Sequence, residues 1–373
     1  MKRILILSVS AGAGHIRASE ALRTTGESKW PDIEFKHVDI MSLVSSAFKK
    51  SYVGSYMKMA AAAPALWGYL YSKTDSKAAD SLSNKIRLAV QRVNLGRVKK
   101  MIRTYDADAV ICTHFFPVEI MAREVRKGYQ TKPVWVVDTD FDVHAYWLHP
   151  GMTGYFAASD EVAFRMNERG VPAGDAHVSG IPIMPVFSQK YDRRECAEEL
   201  GIDPNRFTVL MMSGGMGTTG IDDLSRRALE LVDDIQIVAL AGNNKNLLNN
   251  LKTVSKEFPA GRLTPMPFTN TVERIMACSD IAVSKPGGLT SSECLAMGLP
   301  MIIVSPIPGQ EERNADYLLE QGAAMKAIDA AGIAYRLRQI LSDRKKLDAM
   351  RSAASRIARP NAAETILRTI INH

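Results

Sequence analysis

The stretch VSKPGGLTSSECLAMGLPMIIVSPIPGQEERNADYL, Val283 to Leu318, decides which fold the sequence predicts. A short apolar strand ends at Lys285, two glycines follow it, and Leu289–Met297 has the apolar spacing of a helix. A second apolar strand, Met301–Ser305, then runs into a turn that contains proline and glycine. Strands that alternate with helices in this way form parallel sheets covered by helices.

The same alternation extends over most of the chain. The candidate strands are Arg3–Val9, Glu34–Asp39, Ala109–Thr113, Val134–Asp138 and Tyr155–Ala158 in the first half, and Thr208–Ser213, Gln236–Ala241, Ile281–Ser284 and Met301–Ser305 in the second. Each half has a glycine loop after its first strand, SAGAGH (Ser10–His15) and SGGMG (Ser213–Gly217). The sequence therefore predicts an α/β protein with two Rossmann-like domains, joined near the proline-containing stretch GIPIMPVF, Gly180–Phe187.

The predicted domains are 1-180 and 181-355, followed by a C-terminal helix within 356-373 that we expect to pack back on the first domain. At 373 residues the chain is too long for one ordinary core. Its four cysteines lie far apart and form no CxxC motif, which favours a reducing compartment without structural zinc. We see neither a signal peptide nor an apolar run of about 18 residues that could span a bilayer, so we expect a cytoplasmic protein.

A basic segment, residues 45-104, interrupts the α/β pattern. It holds twelve Lys and Arg against two acids, whereas the whole chain has a net charge of +7. One interpretation is a helical insertion whose apolar face belongs to the core. The other is a surface that rests on an anionic membrane, with Trp67 and Tyr69 at the interface and Lys49 and Lys50 near headgroups. Nucleic acid is disfavoured, because no recognised reader motif accompanies the charge.

The glycines of the opening stretch predict a phosphate site. Gly287 and Gly288 precede a helix whose first N–H groups and dipole suit a diphosphate. Glu293 follows near the first turn, where a ribose diol is its best partner. Gln310 and Glu311 follow the next strand at the carboxyl edge of the sheet, where ligands of open α/β folds bind, and both side chains can bond sugar hydroxyls.

These motifs resemble one family over nearly the whole chain. KPGGLTSSE, GLPMIIV and PGQEERNA are similar to the nucleotide-sugar half of the monogalactosyldiacylglycerol synthase and processive diacylglycerol glucosyltransferase family. SAGAGHIRASEAL resembles the opening loop of that family, although Ala13 stands among its glycines, and TDFDVHAYWLHPG (Thr139–Gly151) resembles its middle motif. The resemblance implies the GT-B fold, in which two Rossmann-like domains face a deep cleft.

The resemblance also implies an activity. It predicts an inverting glycosyltransferase that moves glucose or galactose from a UDP-sugar to diacylglycerol, working as a peripheral protein on the inner face of the membrane and contacting anionic lipids. Two alternatives use a similar fold: a transferase acting on an undecaprenyl-linked acceptor, as in lipid II synthesis, and a UDP-N-acetylglucosamine 2-epimerase. An epimerase needs no lipid-facing insertion, which counts against it.

The resemblance implies roles for particular residues. It assigns the UDP-sugar to Gly14, Ser213, Gly214, Gly215, Gly217, Phe268, Gly287, Gly288, Leu289, Thr290, Glu293, Gln310 and Glu311. Of these, Phe268 stands where backbone groups pair with uracil. His144 and Trp147 are expected on the acceptor side.

Inversion by a single displacement needs a base for the acceptor hydroxyl, and two residues are candidates. His15 titrates near neutrality and ends the first glycine loop. This loop lacks the third glycine of a dinucleotide fingerprint, since Arg17 stands in its place, so it forms the wall opposite the donor site. Asp140 follows the strand Val134–Asp138 at the carboxyl edge, and the sequence does not rank the two.

We predict no metal cofactor. Asp138-Thr139-Asp140 matches a DxD motif, but that motif carries metal in a single-domain architecture, whereas two glycine loops and helix N-termini are available here for the diphosphate charge. His144, Trp147 and His149 have a spacing that fits no usual ligand set.

Overall fold

The structure is a computed structural model of the chain, and it describes residues 1–10, 12–50, 68, 75, 95–212 and 220–373. Contacts divide the chain into two compact units. The first comprises Met1–Pro185, Ile307–Gln310 and Asn361–His373, and the second comprises Val186–Pro306 and Glu311–Pro360. The division after Pro185 lies within the stretch GIPIMPVF and a few residues beyond the predicted boundary at 180. Most of the basic segment lies outside the described residues.

The first unit is built on a six-stranded parallel sheet with the order β2-β1-β3-β4-β5-β6. Its strands are β1 Arg3–Ser8, β2 Glu34–Asp39, β3 Ala109–Cys112, β4 Val134–Val137, β5 Gly154–Ala157 and β6 Ala176–Val178. The central strands are apolar and buried along nearly their whole length, as expected of a sheet that helices cover on both faces. Among the described residues of this unit, the helices before the last one include α1 Gly14–Lys29, α2 Gly96–Tyr105, α3 Phe115–Arg126 and α4 Asp160–Glu168, and residues 46–50 are also helical.

The second unit repeats this plan with the strand order β12-β11-β10-β7-β8-β9, again all parallel. Its strands are β7 Phe207–Met212, β8 Ile235–Leu240, β9 Leu263–Met266, β10 Ile281–Ser284, β11 Met301–Ile303 and β12 Ala324–Lys326. Its helices are α5 Arg193–Glu199, α6 Ile221–Leu231, α7 Lys245–Ser255, α8 Val272–Ala277, α9 Gly288–Ala296, α10 Gln310–Glu320, α11 Ala330–Ser342 and α12 Arg344–Ile357. Gln310, the first residue of α10, makes its contacts with the first unit.

The last helix, α13 Ala362–Ile371, packs on the sheet of the first unit. Its buried residues Ile366, Leu367 and Ile370 join the core that contains Ile4 and Ile6 of β1. Within the predicted segment 356-373, the apolar spacing of Ala362–Ile371 predicts a helix with these bounds. The helix α12 continues to Ile357, and a break that includes Pro360 separates the two.

Three strands were not among the candidates, β6, β9 and β12. Each is three or four residues long and lies at an edge of its sheet, where it is only partly buried. A short edge strand needs no continuous apolar run, so its sequence resembles that of a loop. The predicted helix Leu289–Met297 is α9, and it begins and ends one residue earlier.

In each sheet, two neighbouring strands are followed by connections that lead to opposite sides of the sheet. In the first unit these neighbours are β1 and β3, and in the second they are β7 and β10. The crevice at the carboxyl ends of such strands is where open α/β sheets bind their ligands. None of the described helices is both long enough and apolar enough to cross a membrane.

Candidate functional site

His15 lies in the first turn of α1, at the carboxyl edge of the first sheet. Its Nδ1 is 2.9 Å from the carbonyl oxygen of Thr113, which directly follows β3. Because a carbonyl oxygen only accepts hydrogen bonds, the Nδ1 atom carries the hydrogen and Nε2 has the lone pair. The Thr139 hydroxyl oxygen lies 3.0 Å from the same Nδ1. The residues after β1, β3 and β4 therefore meet at His15.

The His15 imidazole is neutral at physiological pH. The expectation from the sequence that His15 titrates near neutrality is wrong: burial lowers its pKa to about 4, although the hydrogen bond to Thr113 acts in the opposite direction. A neutral ring with Nδ1–H bound to a carbonyl presents Nε2 as a proton acceptor. The arrangement suits a base in a reaction that ends with a proton on the ring.

Aromatic side chains surround this imidazole. The ring centroid of His114 is 4.5 Å from that of His15, edge to face, and Trp147 follows at 6.3 Å. Trp147 and His144 are each only 4% exposed. The His144 Nδ1 accepts a hydrogen bond from the N–H of Tyr146 at 3.1 Å and so caps the turn that carries Trp147. Both predicted acceptor-side residues thus lie inside the protein, and Trp147 packs near His15.

Asp138 and Asp140 follow β4 and have different surroundings. Asp138 is fully buried, and burial, with a further contribution from the Asp140 charge, raises its pKa well above the usual range. The Asp140 carboxylate accepts a hydrogen bond from the Gln310 side-chain amide at 2.6 Å, within the first unit. Within the described part of the chain, no three His, Cys, Asp or Glu side chains are grouped as a metal ion requires.

Asp75, from the basic segment, is bound to the first unit. Its carboxylate accepts hydrogen bonds from Arg169 at 2.6 and 3.0 Å and from the Ala145 N–H at 2.9 Å. Burial favours the neutral acid, but these bonds and the nearby His144 outweigh it and lower the pKa of Asp75 to about 2. Asp75 is therefore attached to the turn that carries Trp147.

In the second unit, the loop after β10 leads into α9 with Gly287 as its N-cap and Gly288 as its first residue. The space where a Cβ of Gly287 would stand holds no other atom within 4 Å, so backbone N–H groups can be approached closely here. Leu289 is buried and Thr290 half-buried in the same first turn. Glu293 lies in the second turn and is 9% exposed.

Phe268 and Glu311 lie elsewhere in this unit, Phe268 in the loop after β9 and Glu311 in a helix. The N–H of Phe268 donates to the Gly242 carbonyl at 2.9 Å, and its ring is 53% exposed. Glu311 is half-buried in the first turn of α10.

Several predicted site residues lie outside the described residues: Ser213, Gly214, Gly215 and Gly217 of the second glycine loop, and Trp67 and Tyr69 of the basic segment. In the first glycine loop, Gly12 has a φ of +115°, a value that L side chains rarely adopt, and Gly14 is the first residue of α1. Lys49 and Lys50 are exposed on a helical stretch.

Sequence reasoning missed Thr113, His114 and Asp75. The signal for the first two was present, since they directly follow a predicted strand at the same edge as His15 and Asp140. Asp75 had no such signal, because one acid among many lysines is ordinary.

Two family models match consecutive parts of the chain. The model of monogalactosyldiacylglycerol (MGDG) synthase matches residues 15–183, and the glycosyltransferase family 28 C-terminal domain matches residues 209–366. The first match contains His15 and Asp140, and the second contains Glu293 and Gln310.

Among curated proteins, the chain is similar to bacterial enzymes named processive diacylglycerol beta-glucosyltransferase. It is 27% identical to that of Bacillus pumilus over 99% of this chain and 94% of the relative. It is 29% identical to that of Bacillus thuringiensis over 100% of this chain and 94% of the relative.

Among solved structures, the fold matches MurG of Acinetobacter baumannii with a TM-score of 0.62 at 15% identity, over the full length of both chains. The UDP-GlcNAc 2-epimerase of Neisseria meningitidis gives 0.62 at 13% identity, also over both full lengths. These likenesses confirm the predicted GT-B architecture. Both halves of the chain thus match the family that its motifs resemble, the first half through the monogalactosyldiacylglycerol synthase model and the second through the glycosyltransferase family 28 C-terminal domain model.

Proposed function

We propose that this protein transfers a hexose from a UDP-sugar to the hydroxyl of diacylglycerol, with inversion at the anomeric carbon. The observation that carries the proposal is the His15 site, in which a neutral imidazole with Nδ1–H bound to Thr113 keeps its Nε2 unprotonated. The names of the curated relatives support diacylglycerol as acceptor and favour glucose over galactose.

The reaction that we propose is a single displacement. The acceptor oxygen attacks the anomeric carbon as the bond from that carbon to the diphosphate oxygen breaks, and UDP leaves with the electron pair. The hydroxyl proton passes to Nε2 of His15. We assign the base to His15 because its Nδ1 is already bound, whereas the Asp140 carboxylate binds Gln310 at 2.6 Å and serves better to orient that amide toward the sugar.

Second-unit groups would hold the donor. The exposed N–H groups at the start of α9 suit the diphosphate, and Glu293 suits the ribose. The second glycine loop, Ser213–Gly217, follows β7 at the point where the chain leaves in opposite directions, so we expect it to contact the same diphosphate. No step in this scheme needs a metal ion.

Because diacylglycerol resides in a bilayer, we propose that the basic segment brings the protein to an anionic membrane surface. Each lysine or arginine near such a surface contributes about 1 kcal/mol. Binding to anionic vesicles should therefore weaken as the salt concentration rises. The double variant Lys49→Ala with Lys50→Ala should bind these vesicles more weakly than the unchanged protein at the same salt concentration.

The deciding experiment supplies UDP-glucose or UDP-galactose with diacylglycerol in vesicles and measures glycolipid and UDP by mass spectrometry. Glycolipid and UDP in equal amounts, unaffected by EDTA, support the proposal. UDP-GlcNAc epimerised without any lipid product would identify a 2-epimerase, and transfer only to a polyprenyl-linked acceptor would replace diacylglycerol. Activity that vanishes in EDTA and returns with Mn²⁺ would overturn the metal-free scheme.

A further inference from the structure

His114 is a buried histidine that the proposed reaction does not use. It directly follows Thr113 after β3 and is only 3% exposed. Its Nδ1 accepts a hydrogen bond from the N–H of Phe116 at 3.0 Å, so the imidazole caps α3. Histidine is not among the residues usually preferred at this position, which are Ser, Thr, Asp and Asn.

The hydrogen bond to Phe116 determines the tautomer of His114. Because Nδ1 accepts, the hydrogen of the neutral ring is on Nε2, which is the opposite of the His15 arrangement. Burial, and secondarily the neighbouring His15, lower the pKa of His114 well below its usual value. The ring beside His15 therefore stays neutral.

The two imidazoles are in direct contact. Their centroids are 4.5 Å apart at an interplanar angle of 76°, and Trp147 lies 6.3 to 6.4 Å from both. Neighbouring residues thus hold the His15 ring in two ways: the Thr113 carbonyl fixes the direction of Nδ1–H, and the His114 ring packs against the imidazole itself. A ring held from two sides has one orientation for its Nε2 lone pair.

We propose that His114 is a positioning residue for the transfer, whose neutral ring packs on His15 and keeps it in the tautomer with Nε2 as proton acceptor. This proposal rests on the proposed function for its catalytic consequence. Without the His114 ring, water reaches the His15 imidazole, which then protonates more readily and samples other orientations. A displaced reacting group costs about 100-fold in rate, so partial loss of orientation should cost about 10-fold or more.

Two variants separate packing from capping. His114→Asn keeps a good N-cap but removes the ring, whereas His114→Phe keeps an aromatic ring and removes the acceptor for Phe116. Ser159→Ala is the matched control, because it removes the cap of α4 in the same unit, and no contact of the Ser159 side chain with His15 is found among the described residues. Thermal unfolding, kcat and KM across pH, and ¹⁵N spectra of histidine-labelled protein are measured for all three.

We expect His114→Asn to lower kcat/KM about 10-fold at pH 7 and to raise the pH of its acidic fall by one unit or more. The His15 spectrum should shift from a single tautomer toward a mixture. His114→Phe should keep the His15 spectrum and pH profile while losing thermal stability, as Ser159→Ala does. If His114→Asn leaves both the spectrum and the profile unchanged, or if only His114→Phe impairs catalysis, His114 is merely a cap.

The spectra distinguish this proposal from the proposed function. They are recorded without substrate, so a changed tautomer in a protein that transfers no hexose would contradict the function and leave the positioning role of His114 intact. Hexose transfer by the unchanged protein, together with an unchanged His15 spectrum in His114→Asn, would support the function and contradict the positioning role of His114.

Discussion

Each sheet has a carboxyl edge where the connections from two neighbouring strands run to opposite sides, and the two edges carry different chemical groups. In the first unit the edge carries side chains. The rings of His114 and Trp147 lie near that of His15, and the carboxylates of Asp138 and Asp140 belong to the two neighbours of Thr139, whose hydroxyl contacts His15. In the second, glycines and the start of α9 offer backbone N–H groups, with Glu293 behind them. Backbone amides hold an anion but cannot accept a proton, whereas an imidazole can. One edge is therefore suited to proton transfer and the other to holding a diphosphate.

His15→Ala tests this division most severely. We expect it to lower kcat about 10²- to 10⁴-fold, the usual contribution of a positioned base, while UDP affinity stays within about twofold. Turnover and calorimetric UDP binding are the measurements, with His177→Ala on β6 as the control histidine. Wild-type turnover in His15→Ala would remove the chemical role from the first edge.

Glu293→Gln tests the second edge, where we expect a loss of donor binding rather than of turnover. A charge-assisted hydrogen bond is worth about 1.5–3 kcal/mol, so UDP affinity should fall roughly 10- to 100-fold with little change in kcat at saturating donor. Glu320→Gln, exposed at the end of α10, is the matched control. If kcat fell and UDP binding did not, Glu293 would act on the reaction rather than on the donor.

Asp140→Asn sharpens the choice between the two candidate bases. In our assignment the carboxylate orients the Gln310 amide at 2.6 Å, so both Asp140→Asn and Gln310→Ala should lower kcat/KM by about 10-fold, and the double variant little further. A loss of 10³-fold in Asp140→Asn, with a small effect of Gln310→Ala, would instead make Asp140 the base. Turnover of the four proteins in one assay settles the order.

The sequence predicted the second edge better than the first, for a physical reason. A phosphate-binding turn depends on consecutive residues, and the stretch around Gly287 and Gly288 shows its glycines and helix start directly. The first edge is assembled from residues more than a hundred positions apart, such as His15, Thr113 and Thr139. Strand ends could be predicted to share an edge, so the sequence could name His15 and Asp140 as candidates. Which ring nitrogen faces a carbonyl depends on packing that no local pattern records.

Burial was the other property that the sequence did not reveal. Trp147 was expected on the acceptor side, and the structure shows that it is 4% exposed and packs near His15. Phe268 was expected to mark a backbone contact to uracil, an expectation that says nothing of its side chain, and its ring is 53% exposed. Aromatic residues occur both in the core and at the surface, so the residue type does not determine how exposed the side chain is. The exposure is set by the fold.

The smallest effect that we predict concerns the attachment of the basic segment to the first edge. Asp75 binds Arg169 and the Ala145 N–H, and the turn that begins there carries Trp147. Asp75→Asn should raise KM for diacylglycerol in vesicles by about fivefold, because it loosens the turn that carries Trp147. It should leave UDP affinity unchanged, because it does not touch the donor groups.

A charge-swapped pair tests whether the attachment itself matters. Asp75→Arg and Arg169→Asp should each impair transfer, and together they should recover part of it, with a coupling of roughly 1 kcal/mol. Recovery of transfer without recovery of thermal stability would place the effect at the acceptor side. If the single variants changed thermal stability alone, the ion pair would be structural, and the first edge would work independently of the basic segment.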